Sequence, residues 1–110
     1  MKMYLNTEQT THLMELGFDK PRYYSADKYT IIHTGFEIIN YTIGDLIEIL
    51  PQTINVFYDL SIMSNHKGWC VLYGIIGDGD MWSIEHEVYR NDLIDALYDM
   101  IIRLKEEGVI

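Results

Sequence analysis

Two short stretches of the sequence carry residue types that often act in catalysis. In Glu85-His86-Glu87 a histidine stands between two carboxylates, and Cys70 is the one cysteine of the chain. A histidine can transfer protons near neutral pH, and a cysteine becomes a nucleophile when a neighbouring base lowers its pKa. These residues define one hypothesis, a small enzyme that uses His86 or Cys70.

The expected strand geometry argues against that use. In a strand His86 faces one side of the sheet, while Glu85 and Glu87 face the other. Cys70 is expected at mid-sheet between Met63 and Glu87, where a nearby carboxylate would raise its pKa and weaken it as a nucleophile. We therefore predict no catalytic residues and no enzymatic activity.

Metal and cofactor sites receive little support from the spacing of polar residues. Residues 77–80 read Gly-Asp-Gly-Asp, but Tyr89 stands at the twelfth position counted from Asp78, where a calcium loop needs glutamate. The same residues fit a tight turn, since Asp-Gly is a strong hairpin signal. No GxSxG, HExxH or glycine-rich phosphate loop is present. We predict no metal and no cofactor.

Length and charge limit the class of protein. The chain has 110 residues, of which 48% are hydrophobic, and this suits one folded domain spanning residues 1–110. The formal net charge is −9 and the basic residues are scattered, which argues against direct binding of nucleic acid or an anionic membrane. One cysteine allows no internal disulfide, and the N-terminus is unlike a signal peptide, so we predict a cytoplasmic location.

The chain is organised around residues 54–88, where polar and apolar residues alternate. This pattern predicts three antiparallel strands over 54–63, 69–76 and 81–88. A turn at residues 66–67 pairs Leu60 with Tyr73, and a turn at 78–79 pairs Tyr73 with Ile84. The first face of this sheet then carries the large apolar residues Ile54, Val56, Tyr58, Leu60, Ile62, Trp69, Val71, Tyr73, Ile75, Trp82 and Ile84.

The second face of the predicted sheet is less apolar, but it is too apolar to be freely hydrated. Phe57, Ile76 and Met81 are expected to line up across the strands, with Leu72 beside Ser61. Either the N-terminal hairpin or first helix covers this face, or the face is an interface with a second copy. The candidate interface residues are Phe57, Leu72, Ile76 and Met81.

Helices are predicted on both sides of the meander. Residues 7–16 form one helix with Asn6 as its cap, and residues 43–50 form a second with Thr42 as its cap. Residues 92–107 form a long C-terminal helix capped by Asn91. A further hairpin is predicted near the N-terminus, over residues 28–40. The fold class is therefore α+β: an antiparallel sheet, made of the meander and this hairpin, packed by the long helix and two short ones.

Three stretches carry a resemblance to known sequences: residues 7–18 (TEQ…LMELGF), 41–51 (YTIGDLIEILP) and 93–108 (LIDALY…KEEG). The chain resembles short acidic proteins of unknown function that are encoded in gut-bacterial genomes, often within phages or mobile elements. The likeness covers most of the chain in order. It implies a genomic setting and carries over no activity and no functional residues.

Three functions remain open from the sequence. The leading hypothesis is a non-enzymatic protein-interaction or accessory module of a mobile element that self-associates as a homodimer. The second is an acidic nucleic-acid mimic that inhibits a DNA-binding protein, which requires one stripe of carboxylates from Asp59, Asp80, Glu85 and Glu87. The third is the small enzyme described above.

Overall fold

A computed structural model describes residues 2–18, 40–76 and 82–110. These residues form an α+β fold with an antiparallel sheet whose strands lie in the order β1-β2-β3-β4, which confirms the predicted class. The predicted hairpin at 28–40 lies outside the described residues except for Asn40. The described elements are α1 (Thr7–Glu15), α2 (Ile43–Ile49), β1 (Thr53–Ile54), β2 (Tyr58–Asn65), β3 (Gly68–Ile76), β4 (Trp82–Arg90) and α3 (Leu93–Glu106).

The two short helices begin at the predicted caps. At α1 the Asn6 side chain accepts a hydrogen bond from the Gln9 amide at 2.8 Å, and the Gln9 side chain accepts one from the Asn6 amide at 3.1 Å. Thr42 and Asp45 make the same reciprocal pair at α2, at 3.2 and 2.9 Å. Each box satisfies amides that the first helical turn leaves without carbonyl partners.

The start of α3 differs from the prediction. Asn91 is not the cap; Asp92 holds that position with an extended backbone, and its side chain makes no capping hydrogen bond. Its carboxylate instead accepts a hydrogen bond from the backbone amide of Lys2 at 3.3 Å. The Asp92 carboxylate therefore links the N-terminal segment to α3 and does not cap the helix.

The β2–β3 register agrees with the prediction, because Leu60 lies opposite Tyr73. The predicted first strand is interrupted, however, between β1 and β2. Asn55 and Val56 have φ angles of 50° and 73°, and this left-handed backbone reverses the chain. Val56 and Phe57 are residue types that favour strands, so the sequence pattern alone does not reveal the turn. The three-residue turn at 55–57 makes β1 a separate edge strand.

The β3–β4 register was predicted wrongly. Tyr73 lies opposite His86, and Gly74 lies opposite Ile84, so Glu85 is the extra residue of a β-bulge. Beyond the bulge the alternation reverses, and Ile84 belongs to the second face instead of the first. A glycine inside a strand often marks such a bulge, so Gly74 was the signal available in the sequence.

The α3 helix packs on the first face of the sheet, against β3 and β4, as predicted. Tyr73 is fully buried there, and its hydroxyl donates to the carbonyl of Pro51 at 2.6 Å. The α1 helix joins the same core through Leu13, so it does not cover the second face. The buried core comprises Leu5, Leu13, Tyr41, Leu46, Leu50, Ile54, Val71, Tyr73, Val88, Leu93, Ile94, Ala96, Leu97, Met100, Ile101 and Leu104.

Candidate functional site on the second sheet face

The register of β2, β3 and β4 defines the second face as three rows of residues. Because β3 lies in the middle, each of its residues has a neighbour on either side. The rows are Met63–Cys70–Tyr89, Ser61–Leu72–Glu87 and Asp59–Gly74–Ile84.

The predicted interface residues do not form the expected row. Phe57 lies in the turn before β2 and is 68% exposed. Ile76 pairs with Trp82 near the end of β3, and Met81 lies outside the described residues. Leu72 occupies the second face beside Ser61, as predicted, but it is buried. The interruption of the first strand explains the displacement of Phe57.

Other apolar side chains are exposed on the second face. Met63 and Ile84 are each 45% exposed and Tyr89 is 62% exposed, whereas Cys70 and Leu72 between them are buried. Sequence reasoning missed Ile84 because of the bulge, and it missed Tyr89 because the predicted third strand ended at Val88, before that residue. The face thus has a buried centre, with exposed apolar side chains beside it that form an apolar border.

Cys70 lies in an environment that keeps its thiol protonated. Burial raises its pKa, and the charge of Glu87 raises it further, while a hydrogen bond with Tyr89 opposes both effects. Its neighbours across the sheet are Met63 and Tyr89, and not Met63 and Glu87 as predicted. A protonated thiol is a weak nucleophile.

His86 lies on the first face of the sheet, beneath α3. Its side chain is 9% exposed, and its Nδ1 atom lies 3.1 Å from a carboxylate oxygen of Glu107. Cys70 belongs to the second face, so the sheet separates the two side chains. They therefore cannot form a Cys–His pair, which requires hydrogen-bond contact.

The carboxylates of the predicted acidic stripe are spread over different elements. Asp59 on β2 and Glu87 on β4 have β3 between them, so their strands are about 10 Å apart, and the two residues also lie in different rows. Asp59 also accepts a hydrogen bond from the hydroxyl of Thr53 at 2.9 Å. Glu85 is the bulge residue, and Asp80 lies outside the described residues.

A polar network that the sequence did not reveal joins the N-terminal segment to α3. The Asp95 carboxylate accepts hydrogen bonds from the Lys2 ammonium at 2.9 Å and the Gln9 amide at 3.1 Å. Burial alone would raise the pKa of Asp95, but these bonds and the charges of Lys2 and Arg90 outweigh it and lower the pKa. The partners are distant in sequence, so no local pattern indicates this network.

Replacing Asp95 with asparagine should lower the free energy of unfolding at pH 7 by about 1 kcal/mol, because a charged acceptor of two hydrogen bonds is lost. Folding lowers the pKa of Asp95, so its stabilisation is full above the ordinary pKa of about 4. That stabilisation is lost as the pH falls through the lowered value. Urea denaturation at a series of pH values from 7 to below about 4 measures the difference in free energy of unfolding between the wild type and Asp95→Asn. We expect this difference to become smaller in acid. Glu106→Gln, an exposed change on the same helix, is the control; an equal effect there would contradict the assignment.

The described residues thus define a small α+β protein with one sheet, one helix-covered face and an apolar border on the other face. Comparisons with protein-family models, curated protein sequences and solved structures give no match. Within residues 2–18, 40–76 and 82–110, no three His, Cys, Asp or Glu side chains are grouped to hold a metal ion. In the same ranges no helix is long and apolar enough to cross a membrane.

Proposed function

We propose that this protein is a non-enzymatic interaction module that self-associates through the second face of its sheet. The observation that carries the proposal is the exposure of Met63, Ile84 and Tyr89 around a buried centre. Removing such side chains from water on association is favourable in proportion to the apolar area buried. The resemblance to acidic proteins of phages and mobile elements supports an accessory role for such an element, in the cytoplasm.

The chemistry of the candidate residues supports a role without catalysis. Cys70 has a raised pKa, and His86 is packed beneath α3 on the other side of the sheet. The two side chains do not contact each other. Cys70 is buried in the sheet, and His86 lies beside the Glu107 carboxylate. Self-association must still overcome a formal net charge of −9 on each copy, so the contact has to keep carboxylates apart.

Light scattering after size exclusion, in physiological salt, tests the proposal. The wild type should give a mass of about 26 kDa, twice the chain mass of 12.9 kDa. Changing Met63 and Tyr89 together to glutamate should return the mass to one chain, because charges would enter the apolar border.

Met14→Glu is the matched control, since Met14 is 52% exposed but lies on α1. It should remain a dimer. A wild type that stays at one chain mass up to millimolar concentration would overturn the proposal. So would equal dissociation of the control.

A further inference from the structure

A pocket of about 250 Å³ lies at one end of the sheet, where the turn between β2 and β3 meets the last residues of β4. Trp69 packs partly against the core from the first face, opposite Arg90. Only Tyr89 of the lining belongs to the apolar border of the second face, so the pocket is a different site from the candidate interface. The lining side chains are Asn65, Lys67, Trp69, Tyr89, Arg90 and Asn91.

The charge of this pocket differs from the charge of the protein. Among the described residues, none of the Asp or Glu side chains lines it, although the chain has 17 of them and a formal net charge of −9. The Arg90 guanidinium is already neutralised, because it donates to Asp99 and lies 3.9 Å from Asp95. The Lys67 ammonium makes no hydrogen bond or ion pair within the part of the chain that the structure describes. The lining therefore carries one uncompensated positive charge.

Aromatic rings and amide groups make up the rest of the lining. Trp69 is partly buried and Tyr89 is 62% exposed, so both present ring surface to the pocket. Such rings bury large apolar areas and pack well against other rings. The side-chain oxygen of Asn65 accepts from the Lys67 amide at 2.7 Å, which leaves the NH₂ group of Asn65 as a donor. The pocket thus combines aromatic surface, an amide donor and an ammonium.

We propose that this pocket binds a small aromatic carboxylate, with its carboxylate at Lys67 and its ring beside Trp69 and Tyr89. The volume is below the roughly 300–1,000 Å³ of pockets for drug-sized ligands, so a ligand with one ring fits best. One uncompensated ammonium matches the single charge of a carboxylate. A phosphate group carries about −1.5 to −2 charges near neutral pH and would leave negative charge unpaired beside an acidic protein.

The net charge of the protein does not prevent this binding. At physiological ionic strength the screening length is about 8 Å, so an anion in the pocket interacts mainly with the groups beside it. An exposed ammonium–carboxylate pair contributes little free energy, and a single ring buries little area. We therefore expect a dissociation constant on the order of 1 mM.

A nuclear magnetic resonance titration of the ¹⁵N-labelled wild type with phenylacetate, at constant pH and ionic strength, tests the proposal. Saturable shifts should appear at the backbone amides of residues 65–69 and 89–91 and at the indole N–H of Trp69. Phenylacetamide has the same ring without the charge, and it should bind at least about threefold more weakly. Equal affinity for the two compounds, shifts that do not saturate, or shifts centred elsewhere would overturn the proposal.

Lys67→Gln removes the charge that the proposal assigns to the ligand. Lys67 is exposed, so the variant should keep the fold, and the same spectra check this through the signals of the core. It should weaken phenylacetate binding at least about threefold. Lys105→Gln is the matched control, because Lys105 lies over the Phe18 ring near the other end of α3. An unchanged affinity in Lys67→Gln, or an equal loss in the control, would contradict the proposal.

The outcomes for this pocket are separate from those for self-association. Lys67→Gln leaves Met63, Ile84 and Tyr89 in place, so its mass by light scattering should equal that of the wild type. A wild type that is monomeric and binds phenylacetate through Lys67 overturns the proposed self-association and keeps the pocket. A dimeric wild type that binds phenylacetate and phenylacetamide equally keeps the self-association and overturns the pocket.

Discussion

Replacing Met100 by alanine is expected to lower the free energy of unfolding by about 2–4 kcal/mol. Met100 is fully buried on α3, within the core that this helix forms with the first face of the sheet. Alanine is the better helix former, so helix propensity opposes the loss. The destabilisation therefore comes from lost burial and from the cavity left behind.

Met14→Ala is the matched control for Met100→Ala, because it makes the same chemical change on a helix. Met14 is 52% exposed, so its truncation should change the free energy of unfolding by no more than about 0.5 kcal/mol. Urea denaturation with a shared slope measures both values. Similar losses in the two variants would contradict the assignment of Met100 to the core.

Gly68→Ala should lower the free energy of unfolding by about 2–4 kcal/mol, through strain in the turn that begins β3. The glycine has a φ angle of +144°, and an added Cβ atom would lie 2.6 Å from the carbonyl oxygen of Arg90. Its next neighbour, the Cα atom of Asn91, would be 3.1 Å away. Both neighbours are backbone atoms, so they cannot rotate aside as a side chain does.

Gly108→Ala measures the cost of placing alanine in a left-handed backbone conformation without a close contact. Gly108 has a φ angle of +74°, but nothing lies within 4 Å of an added Cβ atom. We expect a loss of about 1 kcal/mol, the ordinary cost of alanine in a left-handed position at a helix end. A loss at Gly68 no larger than the loss at Gly108 would show that the close contact with Arg90 is relieved without cost.

The candidate site could be predicted only in part. Leu72 was placed correctly on the second face beside Ser61, because the turn at 66–67 sets the β2–β3 register locally. Ile84 is not predicted on that face, because the bulge at Glu85 changes the alternation on its side of β4. Tyr89 is not predicted there, because the predicted strand ends at Val88. A pattern with a period of two residues carries no information about an inserted residue.

The sequence by itself determined the α+β class, the starts of α1 and α2, and the pairing of Leu60 with Tyr73. These features depend on residues a few positions apart, such as a cap and its third helical residue, and on strands joined by a tight turn. Only the tertiary structure decided how Asp92 and Asp95 are used. Their partners, Lys2 and Gln9, are some 90 positions away, and only the packing of α1 beside α3 brings them into contact.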